Sequence, residues 1–324
     1  MSFSILRAIS EYGLKIGAPS ALCIGNFDGV HAGHRRLIGR LIEEAGARGL
    51  SPTVLTFEPH PLDVLHPGRS PGRLTTPGAK ARLLEGIGVD TVVVHPFTGS
   101  FASLGPEEFI DEVIVAGLRA RVVVAGPDFR FGFGGAGDRN LLETYGKRSG
   151  VGVISVEHYL SGGKIVSSSR VRSLLAAEGN VSEAMEILGR PYGVEGMVVR
   201  GMGRGKGMGF PTANLSGIGV LVPREGVYAA AGIIDGEPLP AALHIGERKT
   251  FDEPFSIEAF FIGPGIGQAL YGRKVRVFFL RRLRDVERFE SREKLREKIN
   301  EDVERVIAIH AEMRVYLGGA IWEC

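Results

Sequence analysis

The chain has 324 residues, room for two domains of ordinary size. It is 44% hydrophobic and 23% charged, and its 39 basic and 37 acidic residues nearly cancel to +2, which excludes a disordered chain and leaves no bulk charge for holding nucleic acid. The two cysteines, Cys23 and Cys324, exclude a disulfide framework or a Cys-rich zinc site, and no stretch nears the roughly 18 apolar residues of a membrane span. Met1 to Gly17 meets charge at Arg7 and Glu11 before any apolar run of signal length develops, so a cytoplasmic chain with no membrane and no nucleic-acid partner is expected. Oligomeric state is not encoded at this level.

In chain order, Ala21 to Ile24 predicts a short buried strand, followed by a turn rich in Gly, Asn and Asp and a helix from His31 to Arg48 that Gly49 stops. Strands follow at Thr53 to Phe57, Thr91 to Val94, Arg121 to Ala125 and Val151 to Val156. Between them lie a helix opened by Thr76-Pro77 and ending near Gly88, another from Pro106 to Gly117, and a short one from Asn140 to Lys147. After Glu58-Pro59-His60-Pro61 a polar loop runs to Arg73, and Arg170 to Ala177 and Val181 to Leu188 predict two short helices, the second capped by Asn180. This alternation predicts an α/β Rossmann-like domain on a parallel sheet, with ligands at the carboxyl ends of its strands. After Gly189-Arg190-Pro191 the pattern changes to strands split by Gly, Pro and Asp turns: Val194 to Arg200, Val227 to Ile234, Pro240 to Ile245, Ser256 to Phe261 and Val275 to Leu280. That predicts an all-β barrel of Greek-key type. A terminal helix, Val286 to His310, would pack through Phe289, Leu295, Ile299, Val303, Val306 and Ile307. The expected domains are residues 1–185 and 186–324.

Four loops carry candidate chemistry. Gly25-Asn26-Phe27-Asp28-Gly29-Val30-His31-Ala32-Gly33-His34 joins a strand to a helix start, where backbone N–H groups and the helix dipole favour an anion. His31 and His34 share one face of the first turn, and Gly33 leaves space for close approach. The residues read as a nucleotide phosphate cradle, or more plainly as two capping or core histidines. Asp128-Phe129-Arg130-Phe131 suits the stacking of flat rings, or a hydrophobic loop closing over the sheet. Ser167-Ser168-Ser169, with Arg172 in the following turn, suits a polyphosphate tail or a simple serine N-cap. Gly205-Lys206-Gly207-Met208-Gly209 suits phosphate or a flexible loop, and Thr212 and Asn214 just after it offer oxygen ligands two residues apart, as Mg²⁺ prefers.

The first half resembles the adenylyltransferase module of prokaryotic FAD synthetases. Gly25 to His34 is similar to that family's His-x-Gly-His signature, and Thr56 to Pro61, Leu74 to Thr76, Asp128 to Gly132 and Val166 to Arg172 are similar to further blocks. The second half resembles riboflavin kinases through Gly209-Phe-Pro-Thr-Ala-Asn214, Gly226-Val-Tyr228, Ile257-Glu258 and Tyr271-Gly272. The resemblance implies an enzyme that phosphorylates riboflavin to FMN with ATP and then transfers AMP to FMN, giving FAD and pyrophosphate. It implies that His31 and His34 hold the triphosphate, with Gly25, Asn26 and Gly33 in the cradle. Asp28 would orient the turn or a metal's waters. Ser167, Ser168, Ser169 and Arg172 would hold the departing pyrophosphate, and Asp128, Phe129 and Phe131 the flavin. Thr212 and Asn214 would bind Mg²⁺–ATP beside Gly205, Lys206, Gly207 and Gly209, with Glu258 as the base. The family usually shows Asn where this chain has His244 and Pro where it has Lys249, and often a basic residue at the position of Gly135. Those departures motivate an alternative in which the second module holds flavin without phosphorylating it.

Overall fold

The structure, a computed structural model, describes residues 3–69, 71–200, 209–248, 253–263 and 270–317. Gly205, Lys206, Gly207 and Lys249 lie outside the described residues. The chain separates into two compact units, Met1–Ser167 and Ser168–Cys324.

The first unit runs β1 (Ser4–Leu6), α1 (Ser10–Lys15), β2 (Ser20–Ile24), α2 (Ala32–Arg48), β3 (Ser51–Glu58), α3 (Pro61–Leu65), α4 (Pro77–Ile87), β4 (Thr91–Pro96), α5 (Gly99–Ala102), α6 (Pro106–Glu108) continued as a π-helix over Phe109–Gly117, β5 (Ala120–Ala125), α7 (Arg139–Arg148), β6 (Gly152–Ser155) and a small hairpin of β7 (Leu160–Ser161) and β8 (Lys164–Ile165). Six strands form one parallel sheet in the order β1-β4-β3-β2-β5-β6. The central strand β2 is buried at every position, as a parallel strand covered on both faces must be. From β2 the chain steps to β3 and β4 on one side, then returns to lay β5 and β6 on the other. The carboxyl ends of the paired neighbours β2 and β5 therefore form the switch point, where open α/β sheets bind ligands. The Gly25 and Asp128 loops follow those two strands.

Local signals place the helix ends. Thr76 Oγ1 accepts from Ala79 N–H at 3.2 Å with Pro77 in the first helical position, and Gly49 and Gly88 close α2 and α4 in the left-handed region. Three expectations need correction. The loop after His60 contains α3, nucleated by Pro61 and capped by His60. The edge strand β1 and the hairpin β7–β8 were absent from the sequence reading, because two or three residues show no period.

The second unit holds α8 (Ser168–Ser173), a π-turn over Leu174–Glu178, α9 (Val181–Leu188), β9 (Tyr192–Val199), β10 (Ala213–Ser216), β11 (Gly226–Ile234), β12 (Glu237–Arg248), β13 (Glu253–Phe261), β14 (Lys274–Arg284) and α10 (Arg292–Leu317). The six strands close a barrel in the order β10-β13-β12-β11-β14-β9, each pair antiparallel. β9 alternates buried and more open residues, whereas β11 is buried almost throughout, because its outer face carries α10. There Ala229 and Ala231 meet Val306, Ile309 and Met313. The expected helix stripe is corrected by this docking: Phe289 precedes the helix and Ile307 is 47% exposed, while Asp302, Val306, Ile309, His310 and Met313 are buried.

Asp302 joins that buried face through an ion pair. Its Oδ2 accepts from Arg284 Nε and Nη2, each at 2.9 Å, with both side chains largely withdrawn from water. Asp302→Ala would strand the guanidinium, so a loss of about 3 kcal/mol is expected in denaturant unfolding of the barrel unit. An Asp302→Leu, Arg284→Met double variant should recover most of it; a double variant as unstable as Asp302→Ala would show that the ion pair is not the cause.

Candidate functional site

The turn between β2 and α2 is unusual backbone. Phe27 and Val30 have φ of +47° and +42°, and Gly29 has +81°. Side chains resist the left-handed region, so two such residues cost about 1 kcal/mol or more each and require outside restraint. Burial of Phe27 and Val30 supplies part of it. Asp28 supplies the rest: its carboxylate, 4% exposed, accepts from Leu74 N–H at 3.0 and 2.9 Å, from Thr75 N–H at 3.0 Å and from the Thr75 hydroxyl at 3.0 Å. Thr75 Oγ1 also accepts from Gly29 N–H at 3.1 Å. Asp28 therefore orients the turn by tying it to the segment that leads into α4.

His31 is the N-cap of α2, and its Nδ1 accepts from His34 N–H at 3.3 Å. An accepting Nδ1 carries no proton, so in the neutral ring Nε2 carries it. The His31 and His34 rings stack with centroids 3.6 Å apart and planes 16° apart, and Phe27 meets His34 edge-on at 5.2 Å. A Cβ on Gly33 would lie 3.2 Å from the His31 ring and 3.6 Å from the Val166 carbonyl. Glycine at 33 thus lets the segment ending at Ser167 reach the histidine turn within the first unit. His34 Nδ1 is buried without a hydrogen-bond partner among the described residues. A buried polar atom in that condition, at a helix N-terminus, suits an anionic ligand.

Burial first, then the neighbouring His31 and Lys80, hold the His34 pKa well below the usual imidazole value of 6.5. His34 is neutral at pH 7, and the unfolded chain binds its proton more readily than the folded one. Its contribution to stability is complete above pH 6.5 and is lost as pH falls from there toward the lowered folded value. Burial lowers His95 and His310 in the same sense. We expect unfolding free energy to drop between pH 7.5 and 5.5, and to drop less steeply in His34→Gln; equal slopes would contradict this assignment.

After β5, Phe129 and Phe131 stack at 5.4 Å, and Phe131 also packs on Phe109 at 5.5 Å. Phe131 is a core side chain, 5% exposed, so the hydrophobic-loop reading describes it better than an open stacking platform. Phe129 is only partly buried, while Phe133, which the motif reading passed over, is 66% exposed. Asp128 Oδ2 lies 3.1 Å from His158 Nε2. Ser168, Ser169 and Arg172 fall on α8, in the second unit.

On the barrel, strand register gathers a second group. Asn214 of β10 lies directly opposite Glu258 of β13, and Glu258 opposite His244 of β12. Directly paired residues point to one face with Cβ atoms about 5 Å apart. The flanking Ala213, Leu243, Ile245 and Ala259 point the other way, into the filled barrel, and are all 0% exposed. Asn214, Glu258 and His244 therefore form a row on the outer face. Glu258 is nonetheless only 5% exposed. Ser256 Oγ donates to its Oε1 at 3.1 Å, and Phe210 packs edge-on at 5.4 Å against Phe260, two residues along the same face. Phe210 thus docks on the same face two residues from Glu258, and Thr212 immediately precedes the strand carrying Asn214. A buried carboxylate beside hydroxyl and amide oxygens can take a proton and, with phosphates, hold a hard cation. The sequence reading missed the His244 neighbour as part of this row, and it missed Lys80; the signal for Lys80 was a lysine on the apolar face of α4 among Ala81, Leu83 and Leu84.

Comparison with known proteins agrees with both halves of this geometry. The FAD synthetase family model matches residues 15–170 and the riboflavin kinase model residues 188–310. The bifunctional riboflavin kinase/FMN adenylyltransferase of Escherichia coli (strain K12) is 38% identical over 92% of this chain and 95% of its own length. That of Bacillus subtilis (strain 168) is 35% identical over 92% and 94%. A crystal structure from Streptococcus pneumoniae, described as a macrolide-efflux protein, shares 30% identity and a TM-score of 0.81 over 94% of this chain and 99% of its own. No helix among the described residues is long and apolar enough to cross a membrane. The two family models together span most of the chain, and these relatives match it over nearly its whole length: the chain belongs to the family of bifunctional riboflavin kinase/FMN adenylyltransferases.

Proposed function

We propose that this chain makes FAD in two ATP-dependent steps, with riboflavin, FMN and ATP as its substrates, and that residues 1–185 carry adenylyl transfer and residues 186–324 the kinase. The observation that supports the reading is a polar arrangement in each compact unit, the stacked His31 and His34 at the start of α2 and the paired Asn214 and Glu258 on the barrel. In the kinase step the primary hydroxyl of the ribityl chain attacks the γ-phosphorus of ATP, the bond to the β,γ-bridging oxygen breaks, and ADP leaves. The hydroxyl must lose its proton, and Glu258 accepts it. Burial suits that carboxylate to the task, and the Ser256 hydroxyl orients it.

In the second step an FMN phosphate oxygen attacks the α-phosphorus of ATP and pyrophosphate leaves. That phosphate is largely ionised at pH 7, with a second pKa near about 6, so no strong base is required. The work is positioning and charge stabilisation. His31 Nε2–H and the His34 ring face the triphosphate at the helix start. Gly25, Asn26 and Gly33 leave room for it. Ser167 holds the pyrophosphate end, and Phe129 lies against the flavin with Asp128 at its rim.

The donor set of Thr212 and Asn214, hard oxygens beside a carboxylate, fits Mg²⁺, and these two residues would hold it with ATP. Bound there, Mg²⁺ would supply charge neutralisation at the phosphates. A module that merely held flavin would need no covered base, so the two-activity reading is adopted. A cytoplasmic setting, where ATP is supplied and the buried Cys23 thiol stays reduced, suits the reaction. Incubation of the purified chain with riboflavin, ATP and Mg²⁺, followed by product chromatography, should show FMN and then FAD; the absence of both would overturn the proposal.

A further inference from the structure

Lys80 takes no part in the reactions as described, yet it is a charged side chain only 8% exposed. An isolated ammonium is costly to bury, so its surroundings must compensate it. It projects from α4 among apolar neighbours, and its Nζ donates to Thr56 Oγ1 at 3.1 Å. Thr56 Oγ1 in turn donates to the Asn26 carbonyl at 3.2 Å. The single hydroxyl proton goes to Asn26 while the lone pairs face the ammonium, so one threonine can satisfy both bonds. A chain of two hydrogen bonds thus runs from α4, through the end of β3, to the start of the turn that carries His31 and His34. Independently, Asp28 ties the next residues of that turn to Leu74 and Thr75, ahead of the same helix. The turn is thus gripped at two points, Asn26 and Asp28, from α4 and its approach.

The charges around Lys80 complete the picture. Asp28 and Glu58 attract it, Arg73 opposes it, and burial outweighs both in lowering its pKa. The groups acting on His34 are His31 from its own turn and Lys80 from α4. Arg73 is itself paired with Glu58 at 2.7 Å and Asp63 at 3.2 Å, whereas Lys80 is the cation that acts with His31 on His34.

We propose that Lys80 is a positioning residue of the adenylyl-transfer site: a fixed, buried cation that locks the Asn26 end of the turn through Thr56 and adds positive potential beside His34 where nucleotide phosphates lie. The inference rests on the adenylyl-transfer reading given above. It differs from a structural role in what it changes. A merely structural lysine would lower the melting temperature on removal and leave both the His34 titration and the turnover of folded protein alone.

The test uses the full chain with Lys80→Met and Thr56→Val. Three readouts are taken: kcat and KM for ATP in FAD formation from FMN, riboflavin phosphorylation in the same preparation, and the His34 ring titration by NMR. Lys80→Met should lower kcat/KM for FAD formation by about tenfold to a hundredfold, less than loss of a group that touches the phosphates. It should raise the His34 pKa and leave riboflavin phosphorylation within about twofold, as expected for a change confined to the other site. Thr56→Val keeps the ammonium, so it should lower kcat for FAD formation without raising the His34 pKa as Lys80→Met does. Unchanged FAD formation in Lys80→Met, or an unmoved His34 titration, would overturn the proposal. Should Lys80→Met fail to fold, Thr56→Val decides: reduced FAD formation supports the hydrogen-bonded link and undiminished FAD formation overturns it. Wild-type chain unable to convert FMN to FAD would instead overturn the adenylyl-transfer reading itself.

Discussion

His31→Ala is expected to stop FAD formation while FMN continues to accumulate from riboflavin. His31 does three things at once in this structure. It caps α2 by accepting the His34 N–H, it stacks on the His34 ring at 3.6 Å, and it directs a protonated Nε2 away from the cap. Loss of the cap alone would cost about 1 kcal/mol of stability, too little to unfold a domain of ordinary stability. Loss of a donor aimed at charge developing in the transition state costs roughly 10²–10³ in rate. The two effects separate in His31→Asn, whose side-chain oxygen can still cap the helix. That variant should melt close to the wild-type chain and still lack FAD formation. The kinase residues belong to the other compact unit, so riboflavin phosphorylation serves as an internal control. Undiminished FAD synthesis by His31→Asn would remove His31 from the reaction.

Glu258→Gln should produce the opposite phenotype. The amide keeps the shape of the side chain and an oxygen that can accept from Ser256, so the outer face of the barrel should stay folded. What it loses is the capacity to accept a proton from the riboflavin hydroxyl, an effect of roughly 10²–10⁴ in kcat. FAD formation from added FMN should be unaffected, because the phosphate nucleophile is already ionised. Stopped assays with riboflavin in one series and FMN in the other would separate the outcomes. A Glu258→Gln chain that phosphorylates riboflavin at the normal rate would show that Glu258 is only a covered strand residue.

Much of the fold is legible locally because its stop and start signals act within one turn of chain. Thr76 with Pro77, Asn180, Gly49 and Gly88 each do in the structure what their residue types predict. The barrel strands are legible from their alternation, yet β10 was passed over, since four residues beside a Gly-rich stretch give no period to read. The buried face of α10 was misjudged at Phe289 and Ile307 because apolarity alone does not say which turn of a long helix meets the barrel. Ala229 and Ala231 decide that, by making a shallow surface on β11 for Val306 and Ile309. Of the two readings open for Phe131, the packing against Phe109 favours the hydrophobic loop, because an aromatic in a loop and an aromatic in the core look alike until the neighbour is placed beside it.

By itself the sequence determined the chemistry. A strand–Gly–helix turn with two histidines, and a Gly209 to Asn214 block followed by Glu258, carry the resemblance to the two modules of the family, since such motifs depend on backbone and side-chain types that lie close along the chain. Only the tertiary structure decided what holds those residues in place. Asp28 turned out to grip Leu74 and Thr75, 46 and 47 positions away, and Lys80 to reach Asn26 through Thr56. Asn214, Glu258 and His244 became neighbours through strand register alone. Each of these is a contact between distant segments, set by packing and pairing that burial makes favourable only once the whole sheet or barrel has closed.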